Sequence, residues 1–197
     1  MPSNANSVNI EKRDRPYHHG DLRAALVAAA LERIKHSAAE AVSLREVARQ
    51  VGVSATAVYR HFPDKEALLQ ALCEAGDAIL EAGQREAMAA AGGGQAGFDA
   101  TGLAYVRFAL AHPFLFRLMM KEGRRSTEGA GDGGAFGALQ AHVAALLPTD
   151  ASADQQRLRA IQAWSLVHGV AMLVLDGRLP ADEALIAQVI SRDRGGD

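Results

Sequence analysis

The run from Ser43 to Phe62, SLREVARQVGVSATAVYRHF, constrains the fold more than any other part of the chain. It has the pattern of two short helices joined by a tight turn. Ser43, with Glu46 three residues on, predicts a capping box, in which each side chain satisfies an otherwise orphaned backbone N–H. Leu44, Val47 and Ala48 recur at helical spacing and define one apolar face. Gly52 can take the left-handed backbone that ends a helix, and Val53 can tuck beneath the turn. Ser54 caps the next helix. There Ala57 and Val58 can pack inward while Ala55, Thr56, Tyr59, Arg60 and His61 point elsewhere, and Pro63 stops it. A helix this short is marginal alone and must rest on neighbours. Its exposed residues are small or hydrogen-bonding, which suits a helix lying in a DNA major groove.

The 197 residues allow one large domain or a small domain plus a larger one. Hydrophobic residues make up 49% and aromatics only 5%, with alanine and leucine dominant, which favours an all-α chain with a sizeable core. The net charge is −2, but residues 1–72 hold ten Lys/Arg against eight Asp/Glu, and the remainder eleven against fifteen. A slightly basic head on an acidic body fits a local DNA footprint. Cys73 is the lone cysteine, so no intrachain disulfide can form. It reads as a small buried hydrophobe in a reducing, cytoplasmic setting. No stretch approaches the roughly 20 apolar residues of a membrane span, and no signal peptide opens the chain, so no membrane partner is expected.

Residues 1–16 are polar and read as an arm in which Lys12, Arg13 and Arg15 either touch DNA or are simply solvated. Asp21 can cap a first helix that buries Leu22, Leu26, Ala29, Ala30 and Ile34. Asp64 can cap a fourth that runs towards Met88. Gly92-Gly93-Gly94 reads as a flexible break. Helices then follow over 98–112, from Pro113, over 137–147, over 154–175 and over 181–191. Residues 123–134 read as a glycine-rich loop. The domains expected are the arm 1–16, a head 17–72 and a body 73–197.

The stretch from Leu26 to Leu72 resembles the N-terminal domain of TetR-family transcriptional regulators. The residues that carry this are Gly52-Val53-Ser54, Val58-Tyr59-Arg60-His61-Phe62 and Lys65-Glu66-Ala67-Leu68-Leu69. The lead-in Tyr17-His18-His19-Gly20-Asp21-Leu22-Arg23, and Trp164 with His168-Gly169, resemble one subgroup. The chain departs from the family where Ser37-Ala38-Ala39 replaces the glycine that often follows the first helix. The resemblance implies a three-helix helix-turn-helix head, a helical ligand-binding and dimerisation body, and phosphate contacts from Tyr59 and His61. It also implies that the last two helices pair with a second subunit. The apolar excess on those helices supports the same expectation, with Ile161, Val167, Val174, Leu185, Ile186 and Val189 as candidate dimer residues.

Thr56 and Arg60 are the best base-edge candidates, since threonine can meet a thymine methyl and arginine can fork onto guanine. Arg60 reads equally well as a solvated side chain. Ala55 and Ala57 allow close approach, and Ser43, Arg45, Ser54 and Lys65 complete the DNA set. In the body, Tyr105, Phe108, Phe116, Met119, Met120, Trp164, His168 and Met172 are the candidate lining of a pocket for a small apolar effector, with ordinary core as the alternative. His18-His19 does not read as a metal site, because adjacent side chains point apart. Neither a nucleophile motif nor a P-loop appears, so no enzyme, cofactor or metal is expected. The function expected is a homodimeric repressor that binds palindromic double-stranded DNA and is released by the effector. The alternative is a ligand-independent DNA-binding scaffold whose body holds a protein partner.

Overall fold

A computed structural model describes residues 22–126 and 135–192 and shows an all-α protein. The helices among the described residues are α1 (Leu22–Ile34), α2 (Leu44–Val51), α3 (Ala55–Tyr59), α4 (Lys65–Ala90), α5 (Gly94–Ala111), α6 (Pro113–Ser126), α7 (Ala135–Leu146), α8 (Ala153–Leu175) and α9 (Glu183–Arg192). A single 3-10 turn, Ala39–Ala41, joins α1 to α2. The arm 1–16, the lead-in through Asp21, residues 127–134 of the expected loop and residues 193–197 lie outside the described residues.

The head forms because α1, α2 and α3 each bury one stripe. Leu26, Ala30 and Ile34 recur every fourth residue along α1 and meet Val47, Val58 and Phe62, all of them buried. Gly52 sits at φ 81°, ψ 28°, the left-handed cap that lets α2 turn sharply into α3. The Ala57 N–H donates to the Ser54 hydroxyl at 3.2 Å, and the Ala67 N–H to the Asp64 carboxylate at 2.8 Å, so both expected caps form. The expected capping box at Ser43 does not: its side chain makes no cap hydrogen bond. Glu46 is drawn away by Arg33 of α1, which donates to its carboxylate. A true box occurs instead at Ser152 and Gln155, at the start of α8.

The recognition helix is shorter than its sequence predicts. It ends at Tyr59, and Arg60 and His61 lie in the turn leading to buried Phe62. In the body, α4 packs against α5 and α6, and α5 against α8 and α9. One continuous core runs from Leu26 in the head to Ile190 in α9, which ties the two parts mechanically. Gly92, Gly93 and Gly94, expected as a break, form the turn between α4 and α5. All three have positive φ (78°, 75° and 58°), and the Gly93 N–H donates back to the Met88 carbonyl at 3.1 Å. The chain bends by 107° between α5 and α6 at Pro113. Helix α6 continues to Ser126, through residues read as loop.

Helix α8 corrects a further expectation. By length and composition it could cross a membrane, with a mean hydropathy of 1.5 in its most apolar window, of which 28% is buried. Gln162, Ser165 and His168 interrupt its apolar residues, so the hydropathy is high without an unbroken apolar run of about 20. Its inner side packs on α5, α7 and α9, and its outer side carries an exposed apolar stripe.

Candidate nucleic-acid interface and ligand cavity

On the head, Ala55, Thr56, Tyr59, Arg60 and His61 are all exposed around α3, while Val58 anchors the helix from beneath. Ala57 is half-buried. Ser43, Arg45, Tyr59 and Lys65 converge on one concave surface beside α3. Because Ser43 caps nothing, its hydroxyl is available to that surface. The same concavity carries acids. Asp64 is committed to capping α4. Glu40 meets Lys121 of α6 at 3.1 Å, and Lys65 donates to the Glu40 carbonyl at 2.6 Å. The backbone N–H of Glu40, then Lys121, hold the Glu40 carboxyl below the usual carboxylate range. Lys65 therefore starts with a protein partner that a phosphate would have to replace.

In the body, α4, α5, α6, α7 and α8 enclose a cavity of about 150 Å³. Phe98 and Tyr105 of α5, Met119 and Met120 of α6, Leu139 of α7, and Ala163, Trp164 and Val167 of α8 supply its apolar walls. Polar atoms come from Thr101 of α5, His142 of α7, and Asp77, Glu81 and Gln84 of α4. The Tyr105 hydroxyl shares a hydrogen bond of 3.1 Å with His168 Nδ1 and lies 3.9 Å from Met120 Sδ. Burial pushes the tyrosine's ionisation up, against an opposing hydrogen bond from Trp164. Burial also pushes His168 down, so burial favours the neutral form of both rings. Phe116 packs edge-on against Tyr105, with centroids 5.6 Å apart, and braces this wall from behind.

Two family profiles match the chain. Residues 26–72 match one described as "Bacterial regulatory proteins, tetR family". Residues 98–192 match one described as "Tetracyclin repressor-like, C-terminal domain". The chain belongs to the TetR family. Solved structures agree. A protein of unknown function from Rhodococcus sp. RHA1 is 32% identical over 91% of this chain and 96% of its own, with a TM-score of 0.71. A tetR-family transcriptional regulator from Streptomyces coelicolor shares the fold at 23% identity, with 85% and 76% of the two chains covered and a TM-score of 0.60. A TetR transcriptional regulator from Rhodococcus sp. RHA1 does so at 21% identity, with 85% and 92% covered and a TM-score of 0.55. No protein of curated function matches significantly. The chain is thus a DNA-binding transcriptional regulator of the TetR family.

Within this TetR-family fold, the expected pocket residues divide. Tyr105, Met119, Met120 and Trp164 line the cavity. Phe108 and Phe116 lie in the closed core, Met172 packs on that core, and His168 stands behind the wall, hydrogen-bonded to Tyr105 and with its ring centroid 6.0 Å from that of Trp164. Reading by side-chain size missed Asp77, Glu81 and Gln84. A signal was present: they share one helical face with buried Leu80, where charged residues would not be expected. The expected dimer residues divide too. Val167 and Ile186 are buried in the protomer's own core, and Val174 and Val189 pack against it. Ile161 and Leu185 are exposed. Leu158, Trp164 and Leu173 are exposed apolar residues of α8 that the sequence reading did not include in the dimer set. A Cβ added at Gly169 would meet nothing within 4 Å. That glycine therefore opens outward and does not seat a neighbouring helix of its own protomer.

Proposed function

We propose that this regulator is a homodimeric repressor, released from its operator by a small molecule held in the body cavity. The observation that carries the reading is the path of α4. Its first turn, capped by Asp64, follows directly on the recognition turn, and Asp77, Leu80, Glu81 and Gln84 further along it line the cavity. Lys65 and Asp77 are twelve residues apart, about 18 Å of helix. A ligand that shifts α4 against α5 and α6 would therefore shift the head as well. The filled body expected of a ligand-independent scaffold is not what this cavity supports.

In this reading the head spans 17–72 and the body 73–197. Thr56 and Arg60 meet base edges, Ala55 and Ala57 let the helix approach, and Ser54 holds the α3 N-terminus in shape. Ser43, Arg45, Tyr59, His61 and, once freed from Glu40, Lys65 meet phosphates. The exposed stripe of Leu158, Ile161 and Leu173 on α8, with Leu185 of α9, is the dimer face. Dimerisation would set two heads at half-sites about 34–36 Å apart, or a multiple of that. The site of action is the cytoplasm, where the DNA is. Release requires a ligand that favours the spread state by a few kcal/mol. The test is binding-site selection with the purified protein, then a gel-shift titration of the selected duplex with candidate effectors. If no cavity ligand ever weakens the complex, the switch is wrong.

A further inference from the structure

We propose that the cavity selects an organic cation, an arylalkyl amine or quaternary ammonium, with its ring among the aromatic walls and its charge at the mouth beside Asp77 and Glu81. This rests on reading the cavity as the effector site. It also replaces the apolar effector that composition alone implies.

Size sets the first limit. A cavity of about 150 Å³ is the size that admits a benzene-sized group, so its interior seats one ring. The walls set the second. Phe98, Tyr105, Met119 and Trp164 offer apolar and π surface, and a cation within about 6 Å of an aromatic face is attracted to it.

Charge sets the third. Among the described lining residues the formal charges are of one sign: Asp77 and Glu81 are there, and neither Lys nor Arg is. Asp77 has no hydrogen bond or ion pair among the described residues. Its nearest charged neighbours along α4 are Glu74 and Glu81, both of its own sign. Glu81 has only a long contact of 3.9 Å with Arg85, an exposed side chain that a ligand could displace. Glu74 is turned to Arg23, 3.7 Å away. Burial, then the Glu81 and Glu74 carboxylates, push the Asp77 carboxyl up. A bound cation would remove that disadvantage, whereas a bound anion would deepen it. A metal ion does not meet these requirements, since no group of three metal-binding side chains occurs among the described residues.

Trp164 is the chain's single tryptophan and lines the cavity, so its fluorescence reports binding directly. Three probes of similar shape separate the possibilities: phenethyltrimethylammonium, its neutral isostere with a tert-butyl group, and phenylpropanoate. The cation is expected to bind about tenfold tighter than the neutral probe, and the anion weakest. Asp77→Asn and Glu81→Gln should each reduce that preference, and together erase it, while leaving the neutral probe's affinity unchanged. Equal or tighter binding of the neutral or anionic probe overturns the proposal. So does failure of the cation to bind, or a preference that survives both substitutions. Gel shifts on the selected operator with the same probes separate this claim from the switch. A cation that binds without releasing DNA removes the effector role and keeps the ligand class. A neutral probe that binds as well as the cation and releases DNA does the reverse.

Discussion

The head and the body do opposite things with the same material. The head concentrates its candidate contacts within residues 43–65, exposed on a scaffold whose buried side is Val47, Val58 and Phe62. The body hides its candidate site, and the lining comes from five helices spread from Asp77 to Val167. Function in the head depends on one rigid local shape. In the body it depends on the space left where five helices fail to meet. The first should be easy to destroy by unfolding and hard to retune; the second should be the reverse.

The largest effect expected is that of Phe62→Ala. Phe62 is 1% exposed and closes the head core, with the Arg23 guanidinium 5.4 Å from its ring centroid. Truncation should cost about 3–5 kcal/mol in denaturant unfolding. Trp164→Ala removes a larger side chain from the cavity wall, but that residue is 42% exposed, so about 1–2 kcal/mol is expected. Equal costs for the two substitutions would erase the contrast between a rigid head and a tolerant body.

Next comes Arg60→Ala. The side chain is exposed in the turn after α3, so folding should be untouched. If Arg60 reads a guanine, operator affinity should fall by about 1–3 kcal/mol, roughly fivefold to 150-fold, with little change on a scrambled duplex. Equal losses on both duplexes would make Arg60 a phosphate contact and move specificity to Thr56 and DNA shape.

The same contrast explains what was legible in the sequence. Gly52, Ser54 and Asp64 act within a few residues of themselves, and each forms the turn or cap its type predicts. Glu46 fails as a capping residue because its partner, Arg33, stands thirteen positions away on another helix. The cavity fails in the same manner on a larger scale. Side-chain size cannot separate Phe116, which is fully buried behind Tyr105, from Met119, which faces the space. The α4 acids were passed over because a charged residue on a helix is ordinarily solvated. Only the packing of α5 and α6 against α4, with α8 in turn on α5, makes them part of a wall.

Gly76→Ala tests whether the cavity is more sensitive than the fold. Gly76 lies inside α4, where alanine favours the helix by about 1 kcal/mol. A Cβ there would stand 2.5 Å from Met119 Sδ and 3.4 Å from Leu115 carbons. Overpacking of this kind costs about 1–3 kcal/mol, so a net loss of about 1 kcal/mol is expected. Met119 is unbranched and can swing aside, and the space open to it is the cavity it lines. Probe binding measured by Trp164 fluorescence should therefore suffer more than the melting temperature. A variant that melts earlier yet binds normally would mean that Met119 moves elsewhere.

Asp77→Asn should give the smallest effect, and its sign is the informative part. Because the folded protein holds the Asp77 carboxyl above its ordinary range, the folded state keeps that proton to higher pH than the unfolded chain does. Stability is consequently lost as pH rises from about 4 through the raised value, and at neutral pH the charged group is a net burden. Asparagine keeps the shape and removes the charge. It should raise stability at pH 7 by a few tenths of a kcal/mol, since the side chain is partly solvated and its carboxylate neighbours lie three and four residues away. The gain should fade on acidification and vanish below about pH 4, where both forms are neutral. Thermal melts of the two proteins across that range check it. A gain that persists in acid would trace to packing or helix propensity and remove the electrostatic account of the mouth. A gain that disappears on schedule would identify Asp77 as a charge in the body that the folded protein alone does not satisfy.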